Sequence, residues 1–388
     1  MSSRFAASRT LSIGMLSTYP PTVCGLATFS SALERALVAL GHRVEIVRVE
    51  DGTNNGPMHR SVAGVLFNGS ASSARRAASL LSTCDVAIVQ HEYGIFGGRD
   101  GEEVLGVLRN VDAPIIVVLH TVQQQASGHQ AELLVELSEV ADRVVVMSSS
   151  ARERLVETYY PIDDAKVVTI PHGAALASNV RTGGPHVQNP EADVLTWGLL
   201  GPGKGIEYVI EAVGLLAALG QPVRYTIAGT THPKVTAREG HAYRDMLVAR
   251  ADQLGVMHLI TFDDTYRAVA DLTEFIASAG IVVLPYDTAE QVTSGVLVDS
   301  IAAGRPIIST RFPHAVELLS GGAGLLVPQR DPAAMALAIG TATQHPALLA
   351  TMKGKVRELA PTLSWSAVAA QYAAQCQGLV EFRDQKTA

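Results

Sequence analysis

Gly201-Pro202-Gly203-Lys204-Gly205 brings three glycines and a lysine together between the apolar run VLTWG and the helical pattern IEYVIEAVGLL. Glycines permit a tight strand-to-helix turn, and the lysine adds positive charge where the free N–H groups of a helix start already favour anions. The chemistry this suits is phosphate binding. It is not the nucleoside-triphosphate P-loop, whose spacing and Ser/Thr after the lysine are missing from GPGKG. A second such place is QVTSGVLVDSIAAG from Gln291, where a polar run with Gly295 opens an apolar helical segment holding Asp299. Backbone N–H groups and the hydroxyls of Thr293 and Ser294 can hold a ligand at that helix entrance. In the first half, Gly25 precedes the pattern LATFSSALERALVAL, and glycine lets the backbone approach a diphosphate or an incoming acceptor. A purely structural turn explains Gly25 equally well. His91 and His120 end the apolar runs VAIVQ and IIVVL, where polar side chains point toward a strand-end crevice. Glu92 can accept from an acceptor hydroxyl or serve as a cap.

These residues need elements that bring them to one end of a sheet. The runs LSIGML, VEIVRV, DVAIVQ, PIIVVLH, RVVVMS and KVVTIP read as strands, separated by segments whose apolar positions recur at helical spacing. Near-continuous apolar strands joined through helices predict a parallel sheet covered on both faces. The run from Asp51, DGTNNGPMHRSVAGVLFNGSASS, reads as an extended surface excursion. Residues 173–192 are rich in Gly, Pro and Asn without a period and read as a linker. The rhythm then restarts with DVLTWG, RYTIAG, MHLITF, IVVLPY, PIIST and AGLLVP. The expected architecture is α/β: a Rossmann-like acceptor-side domain over 1–172, the linker, a second Rossmann-like domain over 193–360, and a C-terminal helix over 361–388 that packs back at the domain junction. Two doubly wound domains would face a deep interdomain cleft, letting one ligand touch residues far apart in the chain.

A chain of 388 residues exceeds what one compact core usually holds. With 47% hydrophobic and 17% charged residues it reads as globular, and a formal charge of -7 gives no reason to expect a nucleic acid partner. Cys24, Cys84 and Cys376 are scattered, which suits a reducing cytoplasm. The first ten residues are not followed by a signal-peptide core, and no stretch reaches the roughly 18 apolar residues of a membrane span. Peripheral membrane contact stays open, because an amphipathic surface helix needs no such stretch. Adjacent Asp263 and Asp264 read as loop or capping residues, so no metal is expected.

From about residue 11 to 365 the sequence resembles the retaining GT-B glycosyltransferases of family GT4. Three landmarks carry the resemblance. Cys24-Gly25, a helix and Gly41-His42 stand where the family has Gly-Gly, a helix and Gly-His. Gly198 to Gly205 match the family's phosphate loop at Lys204, but Leu199 replaces its arginine. Counting back from Ala302-Ala303-Gly304, the family's paired glutamates fall on Gln291 and Asp299, with Glu290 next to the first.

The resemblance implies a hexosyltransferase using a nucleotide sugar and a saccharide or glycoside acceptor, without a tightly bound cofactor or a required divalent metal. Catalytic roles fall on His120, Lys204 and Gln291. Donor contacts fall on Gly25, Lys204, Glu290, Thr293, Ser294, Gly295, Asp299 and Arg311. Asp299 would hold the ribose, Gln291 or Glu290 the donor sugar, and Arg311 would replace the missing arginine, with His314 and Glu317 beside it. His91 and Glu92 would shape the acceptor side. The segments HEYGIFGG, QVTSGVL and RFPHAVELL resemble a bacterial subgroup associated with mannose-containing saccharides, which favours GDP-mannose as donor over UDP-glucose. The alternatives are a UDP-glucose-dependent glucosyltransferase, a nucleotide-sugar epimerase and a non-catalytic nucleotide-sugar-binding protein.

Overall fold

The computed structural model describes residues 9–22, 24–50, 59–159, 161–177, 193–231, 233–265, 267–288 and 291–387. The chain divides into two compact units, one of Met1–Gly173 with Trp365–Ala388, the other of Ala174–Ser364. Most of the expected linker, 178–192, lies outside the described residues.

In the first unit the chain runs β1 (Ser12–Ser17), α1 (Gly25–Ala39), β2 (Arg43–Glu50), β3 (Val62–Phe67), α2 (Ala71–Ser82), β4 (Val86–His91), α3 (Glu103–Leu108), β5 (Ile115–Leu119), α4 (Gly128–Val140), β6 (Arg143–Val146), α5 (Ser149–Thr158) and β7 (Val167–Thr169). Among the described residues these strands form one sheet in the order β3-β2-β1-β4-β5-β6-β7. Every pairing in it is parallel. The strands are apolar because both faces are covered. Leu33 and Leu37 of α1 share a core with Ile13, Met15, Ile88 and Ile116. Side-chain caps start the helices: Ser70 for α2, Ser148 for α5, and Ser127 with Gln130 as a capping box for α4.

The excursion expected from Asp51 contains β3, which among the described residues is an edge strand hydrogen-bonded only to β2. Its burial alternates irregularly, and Gly64 sits at its centre because the Leu80 side chain fills the space a Cβ would need. Residues 51–58 of that excursion lie outside the described residues.

The second unit runs β8 (Asp193–Trp197), α6 (Ile206–Ala218), β9 (Arg224–Ala228), α7 (Pro233–Glu239), α8 (Ala242–Gln253), β10 (Ile260–Asp263), α9 (Val269–Ser278), β11 (Ile281–Leu284), α10 (Gly295–Ala302), β12 (Ile307–Thr310), α11 (Pro313–Leu319), β13 (Gly324–Val327), α12 (Pro332–Gln344) and α13 (Pro346–Leu359). Its sheet order among the described residues is β10-β9-β8-β11-β12-β13, again parallel. One core joins the sheet to α6 and α12 through Val209, Val213, Met335 and Ile339. Another joins it to α10 and α11 through Leu297, Ile301, Ala315 and Leu319. Helix α14 (Trp365–Thr387) belongs to the first unit, where Val368, Tyr372 and Cys376 complete the core against α1.

Both units are thus Rossmann-like and consistent with the GT-B fold. In such sheets ligands sit beyond the strand C-termini where the strand order reverses. That point falls between β1 and β4 in the first unit and between β8 and β11 in the second. Among the described residues no helix is long and apolar enough to cross a membrane.

Candidate functional site

In the second unit the loop between β8 and α6 carries Lys204 at the switch point. Gly205 caps α6 in a left-handed conformation (φ 66°), and a Cβ there would overlap the Pro285 carbonyl oxygen. Glycine therefore lets the helix entrance rest directly on the end of β11. Asp287 N–H donates to Gly203 O (3.2 Å), closing the same contact. Lys204 is half-buried, and its Nζ lies 4.4 Å from the centre of the Tyr286 ring. Burial lowers its pKa, and it has no acidic partner among the described residues. A cation held this way has its N–H donors free for an anion.

The second landmark forms the entrance of α10. Ser294 caps the helix, its hydroxyl accepting from Leu297 N–H (3.2 Å), while its own N–H donates to Nδ1 of the buried His314 (2.9 Å). That N–H is consequently occupied, and in the first turn the N–H groups of Gly295 and Val296 have no partner among the described residues. Gln291 donates through Nε2 to the Thr293 carbonyl, so its amide folds back onto the loop. The carboxyl of Asp299, one helical turn on, has no hydrogen-bond or ion-pair partner among the described residues, and burial pushes it up to about 7. Trp197 Nε1 donates to Ser300 Oγ (3.4 Å), tying α10 to the end of β8. Arg311 is exposed, its N–H donating to Val327 O (3.1 Å). Glu317 lies on α11 with His314, and Glu290 lies outside the described residues.

In the first unit Gly25 starts α1 at the switch point; a Cβ built on it meets nothing within 4 Å. Cys24 caps this helix, its Sγ accepting from Ala27 N–H (3.3 Å). His120 follows β5, with Nε2 2.7 Å from Gln90 Oε1 and its ring edge-on to Phe29 at 4.8 Å. Burial, reinforced by His172 and His91, keeps its pKa well below the usual imidazole range. With the Gln90 carbonyl facing it, Nε2 carries the proton and Nδ1 keeps its lone pair.

His172, read from sequence only as the edge of the linker, joins this group. It donates through Nδ1 to Gly173 O (2.7 Å), stands edge-on to Phe29 at 5.0 Å, and burial lowers its pKa to about 4. Trp365 closes the cluster against Phe29 at 5.0 Å. The strand-end logic that singled out His120 would have found His172, which follows KVVTIP in the same way.

The expected acceptor pair sits differently from its neighbours. His91 is fully buried between Phe96 and Tyr93, neither ring nitrogen has a hydrogen-bond partner among the described residues, and burial lowers its pKa to about 4. Glu92 accepts from Thr121 Oγ1 (2.6 Å) and Tyr93 N–H (3.1 Å), bracing the loops after β4 and β5.

Among the described residues no group of three or more His, Cys, Asp or Glu could hold an ion. Asp263 pairs with Arg267, whose hydrogen bond holds its carboxyl at about 2, and Asp264 pairs with Arg244.

Comparison with known proteins gives each unit a counterpart. The family described as Glycosyltransferase Family 4 matches residues 23–177, and Glycosyl transferases group 1 matches residues 191–345. The D-inositol 3-phosphate glycosyltransferase of Kineococcus radiotolerans is 25% identical over 289 residues; the match covers 66% of this chain and 64% of that protein's length. HepE of Anabaena, solved in complex with UDP-glucose, superposes with a TM-score of 0.72 at 16% identity, covering 95% of this chain and 100% of that one. An E. coli trehalose-6-phosphate protein bound with UDP-2-fluoro glucose gives a TM-score of 0.70 at 15% identity, covering 94% and 99%.

These structures overturn the expectation of GDP-mannose, since the nucleotide sugars in them are UDP-glucose and its fluoro analogue. The physical reason is that the expectation rested on short segments that, by the same resemblance, would meet the acceptor, phosphate, ribose and sugar hydroxyls; both donors share these, so the segments report neither the base nor the configuration at C2. Both sheets are thus of the GT-B type, and a glycosyltransferase family matches each unit, Glycosyltransferase Family 4 the first and Glycosyl transferases group 1 the second.

Proposed function

We propose that the protein is a retaining glucosyltransferase that moves glucose from UDP-glucose to a hydroxyl of a sugar or polyol. The observation that carries the reading is in the second unit. An ammonium and a carboxylate that have no partner among the described residues, and the first turn of α10, lie around one switch point. We assign Lys204 and the N–H groups of Gly295 and Val296 to the diphosphate, Asp299 to the ribose hydroxyls, and the Oε1 of Gln291 to a sugar hydroxyl. Arg311 supplies a further cation in place of the arginine that Leu199 displaces. In the first unit the neutral His120 offers its Nδ1 lone pair to a donor-sugar hydroxyl, Gly25 leaves room for phosphate, and His91 and Glu92 hold the acceptor-side loop in shape.

In the reaction the bond from the anomeric carbon to the diphosphate oxygen breaks, and a bond to the acceptor oxygen forms on the same face. The acceptor proton passes to a leaving phosphate oxygen. Negative charge grows on the diphosphate as the bond lengthens, so donors already aimed at it bind the transition state more tightly than the substrate. The three cysteines are free thiols, as a cytoplasmic setting allows.

The test is incubation with a panel of nucleotide sugars, with and without sugar, sugar-phosphate and polyol acceptors, followed by mass analysis and NMR of the product anomer. The reading predicts UDP release that depends on acceptor and an α-linked glucoside. Conversion of the donor sugar without acceptor would indicate an epimerase, and binding without UDP release a non-catalytic protein.

A further inference from the structure

We propose that Tyr286 is the positioning residue of the phosphate-binding lysine: its ring face fixes Lys204 at the switch point while leaving the ammonium uncompensated for a diphosphate. This rests on the donor reading above. Tyr286 directly follows Pro285 at the end of β11 and is 3% exposed. The ammonium sits 4.4 Å from its ring centre, inside the range where the negative face of an aromatic ring attracts a cation.

The tyrosine is itself held from several sides. It stacks on Phe312 at 5.0 Å with planes 28° apart, and its carbonyl accepts from Thr310 Oγ1 (2.6 Å). The residues on either side of it, Pro285 and Asp287, carry the backbone contacts to Gly205 and Gly203. The ring and the backbone on either side of it therefore all meet the lysine loop.

The choice of an aromatic partner has a chemical reason. A carboxylate would fix the lysine as well, but it would occupy the N–H donors and compete with the diphosphate for the charge. A ring face attracts the ammonium and leaves its donors unfilled. Because Leu199 removes the other cation of the loop, the placement of this one carries more of the binding.

The test compares full-length Tyr286→Phe and Tyr286→Leu with the wild type. Calorimetry with UDP and NMR titration with uridine are read together, with thermal melts as a check on folding. The inference predicts that Phe, which keeps the ring, stays within about twofold of wild type for UDP, while Leu loses about tenfold. Uridine affinity should be the same in all three, since it has no phosphate to reach Lys204. A Leu variant that binds UDP like wild type overturns the inference and leaves the donor reading intact. So does a Leu variant that loses UDP and uridine alike, or a Phe variant as weak as Leu. A wild-type protein that does not bind UDP removes the donor reading, and this inference with it.

Discussion

Asp299 makes the affinity for UDP-glucose depend on pH in a range where few other groups of the site titrate. A carboxyl accepts from two ribose hydroxyls only when ionised, and burial pushes this one up to about 7 from its usual 3.8. On that value about one carboxyl in ten is ionised near pH 6 and about nine in ten near pH 8, so the dissociation constant should fall about tenfold across the interval. The intact sugar nucleotide has no proton to lose there. His91 and His172 titrate at about 4 and His120 well below its usual value, so these imidazoles stay neutral throughout. The assay is calorimetric titration with UDP-glucose at half-unit steps, for wild type and Asp299→Asn. The variant should bind more weakly near pH 8 and show no slope. The sign for the free protein is opposite: an acid whose folded pKa is raised costs stability once ionised. That cost is on the order of 4 kcal/mol from the roughly three-unit shift, relieved as pH falls from about 7 toward 4. Asp299→Asn should therefore be the more stable protein near pH 8. A wild-type affinity that is flat between about pH 6 and pH 8, or a slope that survives in Asp299→Asn, would refute the reasoning.

Three other perturbations follow from the geometry. Lys204→Ala removes the ammonium aimed at the diphosphate and should lower kcat by about a hundredfold or more in a UDP-release assay; unchanged kcat would take Lys204 out of the clamp. Gly205→Ala places a Cβ against the Pro285 carbonyl in a left-handed backbone, so urea unfolding should show a loss of about 2 kcal/mol or more. In the first unit, His129 has one ring nitrogen on Asp100 (2.9 Å) and the other on Glu102 (2.8 Å), a geometry that needs both nitrogens protonated. These hydrogen bonds, Asp100's first, raise its pKa, so the stability it adds is fully present below 6.5 and lost as pH rises through the raised value. Melting temperatures of wild type and His129→Asn should differ near pH 6 and converge near pH 10.

Much of the architecture was legible because buried parallel strands carry their own signal: IIVVL, VVV and IVVL are apolar on both faces. β3 was not, because an edge strand needs no such continuity, and Gly64 breaks the pattern where Leu80 packs. Lys204 and the α10 entrance were readable because glycine spacing and a serine cap act within a few residues. Tyr286 was hidden for the opposite reason. Its partners Lys204, Thr310 and Phe312 lie far from it in the chain, and no local spacing announces a ring beneath a distant lysine. His91 illustrates the converse, since a strand-end histidine can turn into the core and lose its solvent, as its neighbours Tyr93 and Phe96 make it do. The base and sugar of the donor were beyond the motifs altogether, because the roles proposed for those motifs involve only the groups that all such donors share.

A crystal structure with UDP-glucose bound tests the central claim most directly. The account predicts diphosphate oxygens within hydrogen-bonding distance of Lys204 Nζ and the N–H groups of Gly295 and Val296, with the ribose on Asp299. Density for the nucleotide away from the β8 and β11 strand ends, or a diphosphate out of reach of Lys204, would contradict it.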